Sequence, residues 1–149
     1  MNDELIDILV VEDSVSERTS ITEALQSAIP DVQIVCVHTG TEALDFLFCH
    51  GNWMGRVEVD PPRLIVLDLR LAGEDGFSVL GEIRSLDKAD MLTLISVVIF
   101  TDSQASSDIT RSYRCGANSY IIKPLSFPDF ETVIKTVGQY WMMHNRTSY

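Results

Sequence analysis

The chain has 149 residues, with 22 acidic against 11 basic side chains and a formal net charge of −11. This length suits one domain with a single covered core, and the acidic balance disfavours non-specific binding to nucleic acid or to an anionic membrane. No apolar run approaches the ~20 residues of a membrane span, and the acidic start at residues 1–4 is not signal-like. Cys36, Cys49 and Cys115 form no C-x-x-C pair. We therefore predict a cytoplasmic protein with reduced thiols.

Apolar runs and amphipathic segments alternate along the whole chain. Continuous β-branched runs are typical of strands covered on both faces, as in parallel sheets flanked by helices. The pattern predicts strands over 8–11, 32–37, 64–67, 97–100 and 119–122, and helices over 14–28, from 39, over 76–86, 104–114 and 128–144. Strand and helix alternate five times, so the predicted class is α/β with a five-stranded parallel sheet.

Local signals mark the first two helix starts. Ser14-x-x-Glu17 and Thr39-x-x-Glu42 have the spacing of a capping box, in which a hydroxyl and a glutamate satisfy the first backbone N–H groups. Pro30 marks the stop of the first helix.

The segment 51–62 does not fit this alternation. It carries two glycines, two prolines and Trp53, and it is longer than the usual ~2 to 6 residues of a helix-to-strand connection. Trp53 is either a lid on the local core or a docking residue, and the sequence leaves both open.

Polar side chains follow four of the predicted strands. Glu12 and Asp13 follow the first, Asp68 the third, Thr101 the fourth and Lys123 the fifth. Ligands of open α/β sheets bind at the carboxyl ends of the strands, and in the flavodoxin-like, doubly wound strand order 2-1-3-4-5 the first and third strands are neighbours. The three carboxylates should therefore crowd together.

Such a cluster repels itself unless a cation is present, and its pKa values rise and couple. The available side-chain ligands are hard oxygens with no adjacent His or Cys, which favours Mg²⁺ or Mn²⁺ over zinc. Glu12 and Asp13 alone would indicate a solvated strand end. Asp68 at the matching end of another strand reverses that interpretation.

Asp68 is the candidate nucleophile, because a carboxylate can accept a phosphoryl group when a cation neutralises the approaching oxygens. Lys123 could supply a fixed positive charge to one phosphoryl oxygen and Thr101 a hydroxyl donor to another. Singly, they could be a surface lysine beside a turn proline and a strand-end threonine. Their joint placement favours the functional interpretation.

Four motifs together carry a family resemblance. They are Val-Val-Glu-Asp at 10–13, Leu-Asp-Leu at 67–69 with Asp75-Gly76 following, Phe-Thr at 100–101 and Ile-Lys-Pro at 122–124. Over about residues 6–144 the chain resembles two-component response-regulator receiver domains. The 51–62 loop and the aromatic-rich end at 139–142 are similar to the corresponding segments of small single-domain regulators paired with bacterial phytochromes.

The resemblance implies a role for each site residue. Asp68 would be the phosphoacceptor, with Thr101 and Lys123 binding the phosphoryl group and Tyr120 acting as the aromatic switch that moves with Thr101. The implied Mg²⁺ (or Mn²⁺) ligands are Glu12, Asp13, Asp68 and the backbone carbonyl of Arg70.

Three positions depart from the family pattern. Ala72 replaces a usual proline, which predicts a looser loop after Asp68. Arg70 places a long cation beside the site, where it could change the access of water. Asp102 adds a negative charge that either weakens phosphoryl binding or points to solvent.

The function predicted is that of a stand-alone response regulator, a single receiver domain over 1–149 that is phosphorylated by a sensor histidine kinase, with a phytochrome kinase as a candidate. The alternative is a degenerate receiver that acts only as a phosphorylation-independent interaction module. A phosphatase would need a second acid at the position of Arg70, and an FMN protein would have a Ser/Thr/Gly-rich loop in place of Glu12 and Asp13.

The chain ends within a few residues of its fifth helix, so we expect its signal to be read from its own surface by an unknown downstream protein. The face formed by the fourth helix, fifth strand and last helix is predicted to form a homodimer. Its exposed members are expected to be Phe127, Tyr140, Met143 and His144.

Overall fold

Five parallel strands form the central sheet of the structure, a computed structural model that describes residues 5–55, 61–86 and 90–149. They are β1 Ile8–Val11, β2 Ile34–Val37, β3 Leu64–Leu67, β4 Ser96–Thr101 and β5 Ser119–Ile122. Their order in the sheet is β2-β1-β3-β4-β5. The predicted flavodoxin-like order is confirmed.

Five α-helices cover the two faces of the sheet. They are α1 Val15–Ala28, α2 Gly40–Phe48, α3 Gly76–Arg84, α4 Ser106–Arg114 and α5 Phe127–Gln139. Side chains alternate along β1, so that Leu9 and Val11 pack with α2 and α3, and Ile8 and Val10 pack with α1 and α5. Within the described residues, no helix has both the length and the apolar character that a bilayer crossing requires.

The last helix differs from the prediction of one continuous helix over 128–144. The α-helix ends at Gln139, and Tyr140–His144 form a π-helical turn. The Arg63 guanidinium donates to the Met142 carbonyl oxygen at 2.7 Å, and the Met142 side chain is buried in the core. The wider turn therefore places an apolar side chain inward and gives one of its carbonyls a charged donor.

Trp53 lies in a short 3-10 turn, Gly51–Trp53, directly after α2. Its ring packs edge-on against the buried Phe46 ring, with 5.0 Å between the ring centroids. Trp53 is thus a lid on the local core. Residues 56–60 of the predicted 51–62 loop lie outside the described residues.

The two predicted capping boxes are only half formed. Ser14 Oγ accepts the Glu17 N–H at 3.3 Å, and Thr39 Oγ1 accepts the Glu42 N–H at 3.1 Å. The reciprocal bonds differ, because the Ser14 N–H donates to Glu12 Oε1 at 3.2 Å and the Glu42 carboxylate accepts from the His38 N–H. The Glu17 carboxylate therefore binds elsewhere.

Candidate functional site

The register of the sheet brings the predicted site residues to one edge. Val11 pairs with Leu67 across β1 and β3, so that Glu12 and Asp68 leave the sheet side by side. The Lys123 N–H donates to the Thr101 carbonyl oxygen at 2.7 Å, which places Lys123 beside the end of β4. The residues that carry the site are buried, with 2% of Glu12, 6% of Asp68 and 4% of Lys123 exposed, counting backbone and side chain together.

The Lys123 ammonium lies at the centre of the site. Its Nζ donates to Asp68 Oδ2 at 2.8 Å and to Glu12 Oε2 at 2.9 Å. A third ion pair joins it to the Glu17 carboxylate, from the first turn of α1. An ammonium has three N–H donors, so these three carboxylates use all of them.

Burial and crowding shift the pKa values of this cluster. Burial, together with the hydrogen bond and charge of Asp68, raises the pKa of Glu12 to about 9, although Lys123 acts in the opposite direction. Burial alone would lower the pKa of Lys123, but its bonds to Asp68 and Glu17 outweigh burial and raise that pKa above its ordinary value. The positive charge of one ammonium thus does not cancel the repulsion between the carboxylates, as the sequence analysis predicted for the site without a metal ion.

The donor set fits a hard divalent cation. Carboxylate oxygens of Glu12, Glu17 and Asp68 lie within 4.8 Å of one another, and oxygen ligands of this kind suit Mg²⁺ or Mn²⁺. The sequence prediction missed Glu17 and assigned it to a helix cap. Its signal was its place in the first turn of a helix that begins directly above the carboxyl end of β1.

Two predicted metal ligands lie outside this carboxylate cluster. The Asp13 side chain is exposed, and its backbone carbonyl oxygen accepts from Arg18 Nη1 at 3.0 Å. Arg70 donates its backbone N–H to Asp68 Oδ1 at 3.2 Å, which orients the Asp68 carboxylate. The assignments of Asp13 and of the Arg70 carbonyl as ligands stay predictions.

The loop after Asp68 is held by a small hairpin in which Arg70–Leu71 pairs with Glu74–Asp75. The loop closes against β3 at Gly76, where a Cβ would lie 2.4 Å from the Asp68 carbonyl oxygen. A hairpin thus forms across the position of Ala72, and the looser loop stays a prediction.

The hairpin is also tied to α2. The Glu74 carboxylate accepts the Thr41 N–H at 2.9 Å and the Thr41 hydroxyl at 2.5 Å. The first of these bonds satisfies a backbone donor at the start of α2, where the helix dipole also favours a negative charge. Accordingly, the hydrogen bond from the Thr41 hydroxyl lowers the pKa of Glu74.

Thr101 is connected to Tyr120 through Ser103. The Ser103 N–H donates to Thr101 Oγ1 at 3.5 Å, and the Tyr120 hydroxyl donates to the Ser103 carbonyl oxygen at 2.9 Å. Ser103 Oγ in turn donates to Asp108 in α4 at 2.5 Å. The sequence prediction named Thr101 and Tyr120 but missed Ser103, the residue that contacts both.

The two charged departures from the family pattern both face solvent. The side chains of Arg70 and Asp102 are exposed. For Asp102 this supports the second of the two sequence interpretations, a side chain that points away from the site.

Comparisons with known proteins bear on the family and the fold of this chain. A family model described as Response regulator receiver domain matches residues 8–135. The probable methanogenesis regulatory protein FilR2 of Methanothrix harundinacea is 36% identical over 140 residues, which are 94% of this chain and 86% of that protein. The response regulator Rcp1 of a Synechocystis strain is 32% identical over 136 residues, which are 91% of this chain and 88% of that protein.

Two solved structures share nearly the whole fold. The phosphorylated cyanobacterial phytochrome response regulator RcpA has a TM-score of 0.87 and 31% identity, covering 98% of this chain and 100% of that chain. The Mn²⁺-bound form of Rcp1 has a TM-score of 0.86 and 28% identity, covering 97% and 99% of the two chains. The predicted similarity to small single-domain regulators is confirmed.

Proposed function

We propose that the chain, which belongs to the response regulator receiver domain family, is a stand-alone switch that accepts a phosphoryl group on Asp68 and signals through a change in protein binding. The observation that carries this proposal is the 2.8 Å hydrogen bond between the buried Lys123 ammonium and Asp68 Oδ2. It places a fixed cation beside a carboxylate at the carboxyl edge of a parallel sheet. The protein is then a phosphoacceptor rather than an enzyme with a separate substrate.

In the proposed reaction an oxygen of the Asp68 carboxylate attacks the phosphorus of a phosphohistidine on a sensor kinase. A P–O bond to Asp68 forms while the P–N bond to the histidine breaks, and the electron pair leaves with the imidazole nitrogen. Lys123 stabilises the charge on one phosphoryl oxygen, and the buried Thr101 hydroxyl donates to another. Hydrolysis by water later releases phosphate and restores the Asp68 carboxylate.

The proposed ligands of Mg²⁺ or Mn²⁺ are Glu12, Asp13, Asp68 and the backbone carbonyl of Arg70, and the bound cation supplies charge neutralisation to the phosphoryl oxygens. The carboxylate cluster that includes Glu12 and Asp68, and the Mn²⁺-bound form of the relative Rcp1, support the assignment of these two residues. Asp13 and the Arg70 carbonyl are assigned from the family resemblance. The residues of the chain then have separate tasks. Asp68 provides the attacking oxygen, Lys123 holds positive charge, and Thr101 donates a hydrogen bond.

The switch itself is proposed to run from Thr101 to Tyr120. A Thr101 hydroxyl that turns toward a phosphoryl oxygen would release the Ser103 N–H, now 3.5 Å away. Ser103 also holds the Tyr120 hydroxyl, so the loop and the ring would move together and change the surface around α4 and β5.

The cellular phosphodonor is proposed to be a cytoplasmic sensor histidine kinase of phytochrome type, by likeness to the phytochrome response regulator RcpA. The relative FilR2 bears a methanogenesis regulatory name, so a different input is the competing hypothesis. Phosphotransfer profiling against the kinases of one genome would separate the two, because only a cognate kinase transfers its phosphoryl group rapidly.

The face formed by α4, β5 and α5 is the proposed homodimer interface. Large apolar side chains on and beside this face remain exposed: Tyr113, Ile122, Leu125, Phe127, Tyr140 and Met143. Such a grouping is more than a small acidic domain needs to leave in water.

Intact-mass spectrometry tests the central proposal. After incubation with Mg²⁺ and a small-molecule phosphodonor, the wild type should gain the mass of one phosphate, and Asp68→Asn should gain none. Asp31→Asn is the matched control, because Asp31 is exposed and its φ of 62° suits asparagine. A wild type that takes no phosphate would favour the phosphorylation-independent interaction module instead.

A further inference from the structure

Glu17 is an additional carboxylate at the phosphoacceptor site. Its sequence spacing predicts a capping residue for α1, but its carboxylate instead pairs with Lys123 Nζ. The side chain is 31% exposed, against 3% for Glu12 and 7% for Asp68. Of the three carboxylates around Lys123, Glu17 is therefore the one already in contact with water, and it can leave the ammonium for solvent without opening the core.

The donors of Lys123 are fully used in the unphosphorylated protein. Asp68, Glu12 and Glu17 each accept one bond from the ammonium, and an ammonium has three donors. A phosphoryl oxygen can bind Lys123 only if one of these acceptors yields. Asp68 must keep its oxygen near the phosphorus, and Glu12 is buried, which leaves Glu17.

Glu17 also adds charge where the phosphoryl group arrives. Its carboxylate oxygen lies within 4.8 Å of carboxylate oxygens of Glu12 and Asp68. A negative charge at this distance from the reacting carboxylate repels an anionic phosphodonor, and the repulsion weakens as salt screens the exposed side of the site.

We propose that Glu17 is a positioning residue that holds Lys123 in the unphosphorylated state and competes with the phosphoryl group for its ammonium. This inference rests on the proposed function, because it needs phosphorylation of Asp68. Glu17 does not touch the phosphorus; it acts through its bond to Lys123 and through its negative charge beside Asp68. Phosphorylation then releases the first turn of α1 from Lys123.

Glu17→Gln keeps the size of the side chain and removes its charge. At saturating Mg²⁺ and low salt, this variant should be phosphorylated by a small-molecule phosphodonor about three to ten times faster than the wild type, the range expected for removal of one partly screened charge beside the reacting carboxylate. The ratio should fall toward one as the ionic strength rises. A purely structural role for Glu17 would not produce this salt dependence.

Calorimetric binding of beryllofluoride, a stable phosphoryl mimic, gives a second readout without turnover. Its affinity should rise by a similar factor in Glu17→Gln. Glu23→Gln is the matched control, since it makes the same change at an exposed position of α1, and it should behave as the wild type does.

Three outcomes would overturn the inference. Glu17→Gln could be phosphorylated no faster than the wild type, or Glu23→Gln could be accelerated equally. Glu17→Gln could also lose Mg²⁺ affinity tenfold, which would make Glu17 a metal ligand. Failure of the proposed function looks different. In that case the wild type itself takes no phosphate, and the inference falls with it.

Discussion

The Tyr120 hydroxyl donates a hydrogen bond to the backbone carbonyl oxygen of Ser103 at 2.9 Å. Ser103 in turn donates its N–H to the hydroxyl of the buried Thr101. Burial raises the pKa of the Tyr120 phenol, so the phenol remains a neutral donor at physiological pH. The aromatic ring is thus tied by two hydrogen bonds to the residue proposed to bind the phosphoryl group.

Tyr120→Phe removes the hydroxyl and keeps the ring. We expect the free energy of unfolding to fall by about 0.5 to 1.5 kcal/mol, the net contribution of one neutral hydrogen bond. Urea unfolding measures this change. Tyr113→Phe, on an exposed ring of α4, should leave stability unchanged, and equal stability of Tyr120→Phe and the wild type would contradict the role of the bond.

Lys123→Met tests whether the Lys123 ammonium stabilises the fold by neutralising the buried carboxylates. Removal of the buried ammonium leaves Glu12 and Asp68 without their cation, so the metal-free variant should lose about 3 kcal/mol of stability. Mg²⁺ should restore part of this loss because it supplies positive charge to the same carboxylates. Lys135→Met, which breaks only a half-exposed pair with Glu131 on α5, is the control and should change stability by less than about 1 kcal/mol.

Binding of Mg²⁺ to the native state should stabilise the wild type by roughly 1 to 3 kcal/mol at 10 to 100 times the dissociation constant. Thermal unfolding with and without Mg²⁺ measures this rise. Asp68→Asn should show a much smaller rise. Asp13→Ala decides whether the exposed Asp13 is a ligand, because a rise equal to that of the wild type would exclude it.

The pH dependence of stability should report on Glu74. Hydrogen bonds from Thr41 lower its folded-state pKa below the ordinary value of 4.5. Its contribution is therefore fully present above the unfolded-state pKa and is lost as the pH falls through the folded-state pKa. Glu74→Gln should lose about 0.5 to 1 kcal/mol at neutral pH, and its deficit should shrink as the pH falls below the ordinary glutamate pKa and through the lowered folded-state pKa. A deficit that persists in acid would point to a role other than charge.

The sequence predicted the parts of the site that depend on strand ends. Glu12, Asp68, Thr101 and Lys123 each follow a buried apolar run, and parallel strands place such residues at one edge. Glu17 does not follow a strand directly, and its capping-box spacing predicted the bond of its backbone N–H correctly but not the partner of its carboxylate. The Glu17 carboxylate binds Lys123 rather than the Ser14 N–H, and Lys123 lies 106 positions away along the chain.

Local sequence patterns also failed to predict where the last α-helix ends. Helix propensity favours continuation through Tyr140–His144, yet the chain widens there into a π-helical turn. The Arg63 guanidinium, from the segment before β3, binds the Met142 carbonyl oxygen in this turn. Tertiary contacts of this kind override local preference.

The last prediction concerns the face of α4, β5 and α5. Leu125 is fully exposed and Phe127 is 60% exposed, while Phe130 and Ile134 on the inner side of α5 are buried. The inner side of α5 therefore packs on the sheet, as predicted. The apolar side chains that are not on this inner side remain in contact with solvent. A two-fold dimer would cover the same patch on both copies.

Light scattering at tens of micromolar, a range set by moderate affinity, should show a dimer for the wild type. Tyr140→Glu should shift it to monomer, because a carboxylate in an apolar interface is buried without a partner. Asn52→Glu adds the same charge at an exposed site after α2, the helix that follows β2 at the opposite edge of the sheet from β5, and should remain dimeric. A wild type that stays monomeric with and without beryllofluoride would exclude this interface, whereas dimerisation only with beryllofluoride would couple it to the Thr101 and Tyr120 switch.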